Sequence, residues 1–192
     1  ISRGADDAVH EAGFSLLLCN SVEDPEREVE LLRTLEQRSV DGVLVCSSRL
    51  PEDQLIDLTR RHPAAVLINR CAPDSCSVCV DDAVGAGLLV RHLLSRGRRT
   101  IACLAGSPAS YSSSERVRGF VEALVAAGEN PGSHPVVRSV PHDIEGGYHA
   151  ALTLLSQRPD VDAIVCHNDL VAAGVLRACA ELSRRVPDDV AV

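Results

Sequence analysis

Apolar and polar positions alternate along this chain in two rhythms. Short apolar runs occur at Phe14–Cys19, Val43–Cys46, Ala65–Ile68, Ile101–Leu104 and Ala163–Cys166, with a weaker one at Val136–Ser139. Runs of four to six bounded by polar residues predict buried strands. Between them apolar residues recur three or four apart: Val29, Leu32 and Leu35; Leu55 and Leu58; Leu89, Val90, Leu93 and Leu94. That spacing predicts helices buried along one stripe. Asp24-Pro25 marks one helix start, since an aspartate cap and a proline at the first position both suit it. Pro51 opens another. Further helices are predicted over about 82–95, 112–127, 143–156 and 170–182, with Gly97 and Gly128 as stops. Another strand begins at Val190. Residues 70–80 carry Pro73, Asp74 and alternating Ser and Cys, and read as irregular.

Strands alternating with helices of ten to sixteen residues predict an α/β fold, with parallel sheets covered by helices on both faces. The irregular stretch is the natural crossing between two lobes, 1–80 and 81–192. A length of 192 residues suits that division.

Composition narrows the function classes. Apolar residues make up 45%, aromatics only 2%, with no Trp and no Met. The core is therefore aliphatic, and only Phe14, Phe120, Tyr111 and Tyr148 could stack on a base. The net charge of −8 and the lack of a basic block longer than Arg96, Arg98 and Arg99 argue against nucleic-acid binding by this chain itself. No apolar run reaches membrane-spanning length. Cys19, Cys46, Cys103 and Cys166 fall in apolar runs and read as small buried hydrophobes in a reducing cytoplasm.

In open α/β sheets ligands bind beyond the carboxyl ends of the strands. The residues there are Asn20-Ser21, Ser47-Ser48-Arg49, Asn69-Arg70, Gly106-Ser107 and His167-Asn168-Asp169, with Arg116 in the helix after Gly106. These are short or fork-shaped hydrogen-bonding groups. A plain helix cap accounts equally well for Asn168 or Asp169. It does not account for Arg70, which needs a partner directly after an apolar strand.

Other chemistries find little support. The chain has no G-x-G-x-x-G, no phosphate-binding P-loop and no G-x-S-x-G elbow. Gly85-Ala86-Gly87 lies inside a helix and reads as close packing. An enzyme would need a nucleophile or base with an orienting partner, and His167 near Asp169 is the best pair on offer. Cys71, Cys76 and Cys79 have the C-x4-C-x2-C spacing of an iron–sulfur loop, but the fourth ligand is unplaced, because Cys103 lies mid-strand. The plainer reading is three exposed or half-buried thiols. No cofactor and no metal are expected.

The chain resembles the effector-binding domain of the lactose/galactose-repressor family of bacterial transcription regulators. The resemblance rests on VDGVLV (40–45), VLINR (66–70), VDDAVGAGLLVRHLLSRGRRTIACLAG (80–106), ERVRGFVEAL (115–124), DAIVCHNDLVAAGVLRA (162–178) and VPDDVAV (186–192), in family order over nearly the whole chain. It implies a two-lobed fold like that of periplasmic sugar-binding proteins, with a small-molecule effector, a sugar or related polyol, in the cleft. By that likeness Asn69 and Arg70 reach the ligand from the first lobe, and Arg116, Tyr148, Asn168 and Asp169 from the second. Where the family often has Asp, this chain has Asn69, so the effector's identity stays open. The resemblance also implies a cytoplasmic homodimer that contacts operator DNA through an N-terminal helix-turn-helix domain outside this chain. It implies no membrane and no enzymatic step. Ile1–Gly13 is similar to the tail of the helix after the family's first strand, so both lobes are expected to be incomplete and the isolated chain poorly stable. A sugar-binding protein of a transport system is the closest alternative.

Overall fold

The computed structural model describes residues 1–62 and 64–192. Helix α1 (Ser2–Glu11) buries none of its residues. Helix α2 (Pro25–Gln37) starts at Asp24, whose carboxylate accepts from the backbone N–H of Glu26 at 2.9 Å and of Arg27 at 3.3 Å. A parallel sheet follows in the order β1 (Val43–Cys46), β2 (Ala65–Ile68) and β3 (Cys76–Val78), with α3 (Glu52–Arg61) between its first two strands. Val43 stands opposite Ala65, and Val66 opposite Cys76. Side chains alternate across a strand, so Val43, Val45 and Leu67 face one side. They pack there with Leu32, Leu50, Leu55 and Leu58 from α2, α3 and the loop between β1 and α3. On the opposite side Leu44 stays exposed.

The second sheet has the order β5–β4–β6: β5 (Val136–Val137), β4 (Ile101–Leu104) and β6 (Ala163–Cys166), all parallel. It is covered on both faces. Ile101, Cys103, Ala163 and Val165 pack against Val90, Val117, Phe120 and Leu124 of α4 (Asp82–Ser95) and α5 (Tyr111–Ala126). Ala102, Leu104 and Ile164 pack the other way, against Ala151, Leu155, Val171 and Val175 of α6 (Ile144–Gln157) and α7 (Asp169–Glu181). Each strand thus feeds two cores, which is why β4 is apolar throughout.

Glycine lets each helix pair close to backbone contact. A Cβ added at Gly119 would lie 2.0 Å from the carbonyl oxygen of Ala83. One at Gly147 would lie 2.3 Å from that of Val171, and one at Gly174 2.1 Å from that of Ile144.

Four expectations need correction. Cys19 and Cys46 are exposed rather than buried, Cys46 because it shares the open face of β1 with Leu44. Phe14–Cys19 forms no strand, and Phe14, Leu17 and Leu18 are exposed. The segment has a strand's composition but no neighbouring strand to pair with among the described residues, and a strand exists only through its ladder. Conversely, β3 lies inside the stretch read as irregular; with three residues it is too short to show a period. Finally, Cys71 and Cys79 are not free thiols. They are joined in a disulfide, with Cα atoms 6.7 Å apart, while Cys76 is free and exposed. Near the carboxyl end of the chain, Ala191 makes a single parallel bridge to Ala163 of β6.

Candidate functional site

The tips of the two sheets meet through a continuous set of polar contacts. From the first sheet, Asn69 follows β2 with φ +54°, in the left-handed region that asparagine tolerates better than most residues. Its backbone N–H donates to the Val78 carbonyl at 2.9 Å. That turn directs Arg70 back over the β1–α3 loop, where its Nη2 donates to the Leu50 carbonyl at 3.2 Å. The Arg70 guanidinium also lies 5.5 Å from the ring centre of Tyr111, the first residue of α5. This contact crosses from one sheet's domain to the other's. Its Nε is buried with no hydrogen-bond partner among the described residues.

A second crossing links two strand-end residues, Arg49 and His167, through Glu23 and His142, which the strand-end rule did not name. Arg49, after β1, pairs with Glu23 at 3.1 Å. Glu23 in turn lies 3.9 Å from Nδ1 of His142, in the loop before α6. His142 stacks on His167, their ring centres 4.3 Å apart. His142 occupies the space over Gly106, where an added Cβ would sit 2.3 Å from Nε2 of the ring. No motif flagged His142, because only the fold brings the β5–α6 loop to the tip of β6.

Arg116 organises the second sheet's side. Its Nε donates to Oδ1 of Asp82 at 2.7 Å and its Nη1 to the His167 carbonyl. Asp82 opens α4 just after Asp81, whose carboxylate caps that helix through the Val84 N–H at 2.9 Å. Asn168 caps α7, accepting from the Val171 N–H at 2.8 Å, and its Nδ2 donates to the His142 carbonyl at 3.4 Å. The plain capping role is therefore real for Asn168. The same bond to His142 fixes the loop that carries the imidazole stack. Asp169, the first residue of α7, is exposed.

Tyr148 lies elsewhere. Its hydroxyl donates to Glu181 at 2.6 Å and its ring packs 4.1 Å under the Arg177 guanidinium. It therefore packs on the α7 side of the α6–α7 seam, toward the carboxyl end of α7. A hollow of about 650 Å³ along β5 and α6, lined by Val137, Val140, Gly146 and Leu154 among others, also lies apart from these contacts.

Burial, more than the neighbouring charges, sets the protonation state of His167. Burial pushes the His167 pKa down to about 4, reinforced by the positive charges of His142, Arg116 and Arg49. Neutral His167 is thus the folded-state form near pH 7. The sign follows from linkage: the unfolded chain protonates His167 near its ordinary 6.5, the folded chain only near 4. Its contribution to stability is present above pH 6.5 and is lost as pH falls toward 4. In urea titrations at pH 7 and 5, wild type should lose more stability than His167→Gln. Equal losses would show that His167 does not carry the effect.

A family model described as periplasmic binding proteins and sugar-binding domain of the LacI family matches residues 1–191. The chain belongs to that family. Two curated relatives show how far the likeness runs. The HTH-type transcriptional repressor PurR of Edwardsiella ictaluri is 32% identical over all of this chain and 57% of its own length. The ribose operon repressor of Halalkalibacterium halodurans is 29% identical over all of this chain and 56% of its own length. The chain thus spans about half the length of the curated relatives it matches. Among solved structures, a LacI-family transcriptional regulator from Enterococcus faecium with bound ribose superimposes with a TM-score of 0.82 at 26% identity, covering 98% of this chain and 69% of that one. The LacI-family assignment agrees with the fold described above, two parallel sheets with helices packed against them. The pair His167 and Asp169 shows no hydrogen bond among the described residues.

Proposed function

We propose that this chain is the effector-binding part of a bacterial transcription regulator, holding a sugar or related polyol between lobes 1–80 and 81–192. The observation that carries this reading is the double crossing, Arg70 to Tyr111 and Glu23 to His142, between residues near the strand tips of the two sheets. In this reading Asn69 and Arg70 from the first lobe, and Arg116, Asn168 and Asp169 from the second, contact the sugar. Guanidinium forks donate to hydroxyl oxygens, while amide and carboxylate accept from hydroxyl hydrogens, so vicinal hydroxyls match both kinds. The ribose-bound neighbour and the ribose operon repressor place ribose first among the sugars to test. No bond is made or broken. The sugar favours one relative orientation of the lobes. In a homodimer in the cytoplasm, that orientation sets whether two DNA-reading domains match their half-sites. Such couplings are typically about 1–3 kcal/mol, or roughly 5- to 150-fold in operator affinity.

Calorimetry of the full-length protein against ribose, other pentoses and hexoses tests this reading. One sugar is expected to bind at one site per chain and to change operator affinity. No heat from any of them would sink it. The Cys71–Cys79 disulfide favours a second reading, a transport-linked sugar-binding protein, because disulfides persist in oxidising compartments. Sugar binding without any operator affinity in the full-length protein would select that reading.

A further inference from the structure

Three cysteines, Cys71, Cys76 and Cys79, lie in the crossing between the sheets, outside the residues assigned to the sugar. Cys71 directly follows Arg70 and is half-buried. Cys79 is exposed and precedes Asp81 and Asp82 by two and three positions. Their disulfide closes the loop that carries β3. One anchor of that loop is the arginine that meets Tyr111. The other is the turn that places Asp82 on Arg116. The bridge therefore ties together the two segments that deliver cleft residues to opposite lobes.

Disulfides are rare in a reducing cytoplasm, and those that occur there are usually transient and redox-sensing. Exchange needs an accessible sulfur, and Cys79 supplies one. Resting on the cytoplasmic regulator reading, we propose that Cys71 and Cys79 form a reversible thiol–disulfide site that exchanges with low-molecular-weight disulfides and tightens the segment from Arg70 to Asp82.

The step balances. The Cys79 thiolate attacks one sulfur of a small disulfide such as glutathione disulfide. Its S–S bond breaks and one small thiol leaves, giving a mixed disulfide on Cys79. The Cys71 thiolate then attacks the Cys79 sulfur and expels the second small thiol. Two electrons pass from the cysteine pair to the small disulfide, and the two cysteine protons end on the two released thiols. Reduction runs the same steps backwards. The bridge removes chain entropy from the opened loop, so opening of that loop is rarer when oxidised.

The test uses the full-length protein in glutathione buffers stepped from oxidised to reduced, with alkylation, peptide mapping and amide hydrogen exchange. Cys71 and Cys79 should pass from bridged to doubly alkylated as the buffer becomes reducing, with Cys76 alkylated throughout. Exchange within 70–82 should rise roughly tenfold or more on reduction. Cys71→Ser and Cys79→Ser should show the fast exchange in every buffer, and Cys76→Ser should behave as wild type. Slow exchange elsewhere in the chain verifies that each variant is folded. The proposal is overturned if the pair stays bridged in fully reducing glutathione, which marks a permanent structural bond. It is equally overturned if the pair is alkylated in every buffer, if all three thiols are protected by a bound metal, or if exchange within 70–82 ignores the redox state. None of these outcomes depends on sugar binding, so failure here and failure of the effector reading are separable.

Discussion

Arg116→Ala is expected to lower the full-length protein's affinity at the proposed sugar site about 10- to 150-fold, since a hydrogen bond from a charged donor contributes about 1.5–3 kcal/mol. Two of its donors are engaged, on Asp82 and on the His167 carbonyl, and the rest of the fork makes no hydrogen bond among the described residues. Operator binding should survive while its response to sugar disappears. The substitution also strands Asp82, whose side chain is only 9% exposed. An unsatisfied buried group costs about 1–3 kcal/mol, and partial exposure of Arg116 argues for the lower part of that range. The two effects separate in a double variant. Adding Asp82→Asn removes the stranded charge and should restore most of the stability in a urea titration. It should not restore sugar affinity in calorimetry. If affinity returns with stability, Arg116 acts through the fold and not through contact.

Gly119→Ala is expected to destabilise the protein by about 3 kcal/mol or more, near the upper end of single-residue effects. A methyl group there would stand 2.0 Å from the Ala83 carbonyl oxygen, a backbone atom that can yield only if α4 moves off α5. That movement would open the core around Val90, Val117 and Phe120. Gly85→Ala, on the same helix pair, is the control. Among the described residues no heavy atom lies within 4 Å of the added group. Alanine should therefore stabilise that helix by about 0.5–1 kcal/mol through propensity alone. Urea midpoints measured side by side check both signs. Similar changes at the two glycines would mean that α4 and α5 are not held at backbone contact.

The helices were legible in the sequence because their signals are local. Asp24 before Pro25, Asp143 before Ile144 and Asn168 before Asp169 each cap a helix where capping chemistry predicts. The strands β1, β2, β4 and β6 were legible for a similar reason, as apolar runs between those caps. What failed depends on partners distant in sequence. Phe14–Cys19 has the right residues but no ladder. The three residues of β3 become a strand only because Val66 to Ile68 lie beside them. Eight cysteines allow many pairings, and composition could not select Cys71 with Cys79. At the strand tips, the strand-end rule named Asn69, Arg70, Arg116 and Asn168, all of which make the polar contacts described. It missed Glu23, Tyr111 and His142, which arrive from loops and a helix start. Tyr148 came from family likeness alone, and here it packs on Glu181 and Arg177.

The glycine contacts between α6 and α7 have a mechanical consequence. Where Gly147 touches Val171 and Gly174 touches Ile144, main chain rests on main chain, and no flexible side chain lies between to absorb displacement. Sliding of one helix past the other therefore meets main-chain atoms, a resistance that no side-chain rearrangement relieves.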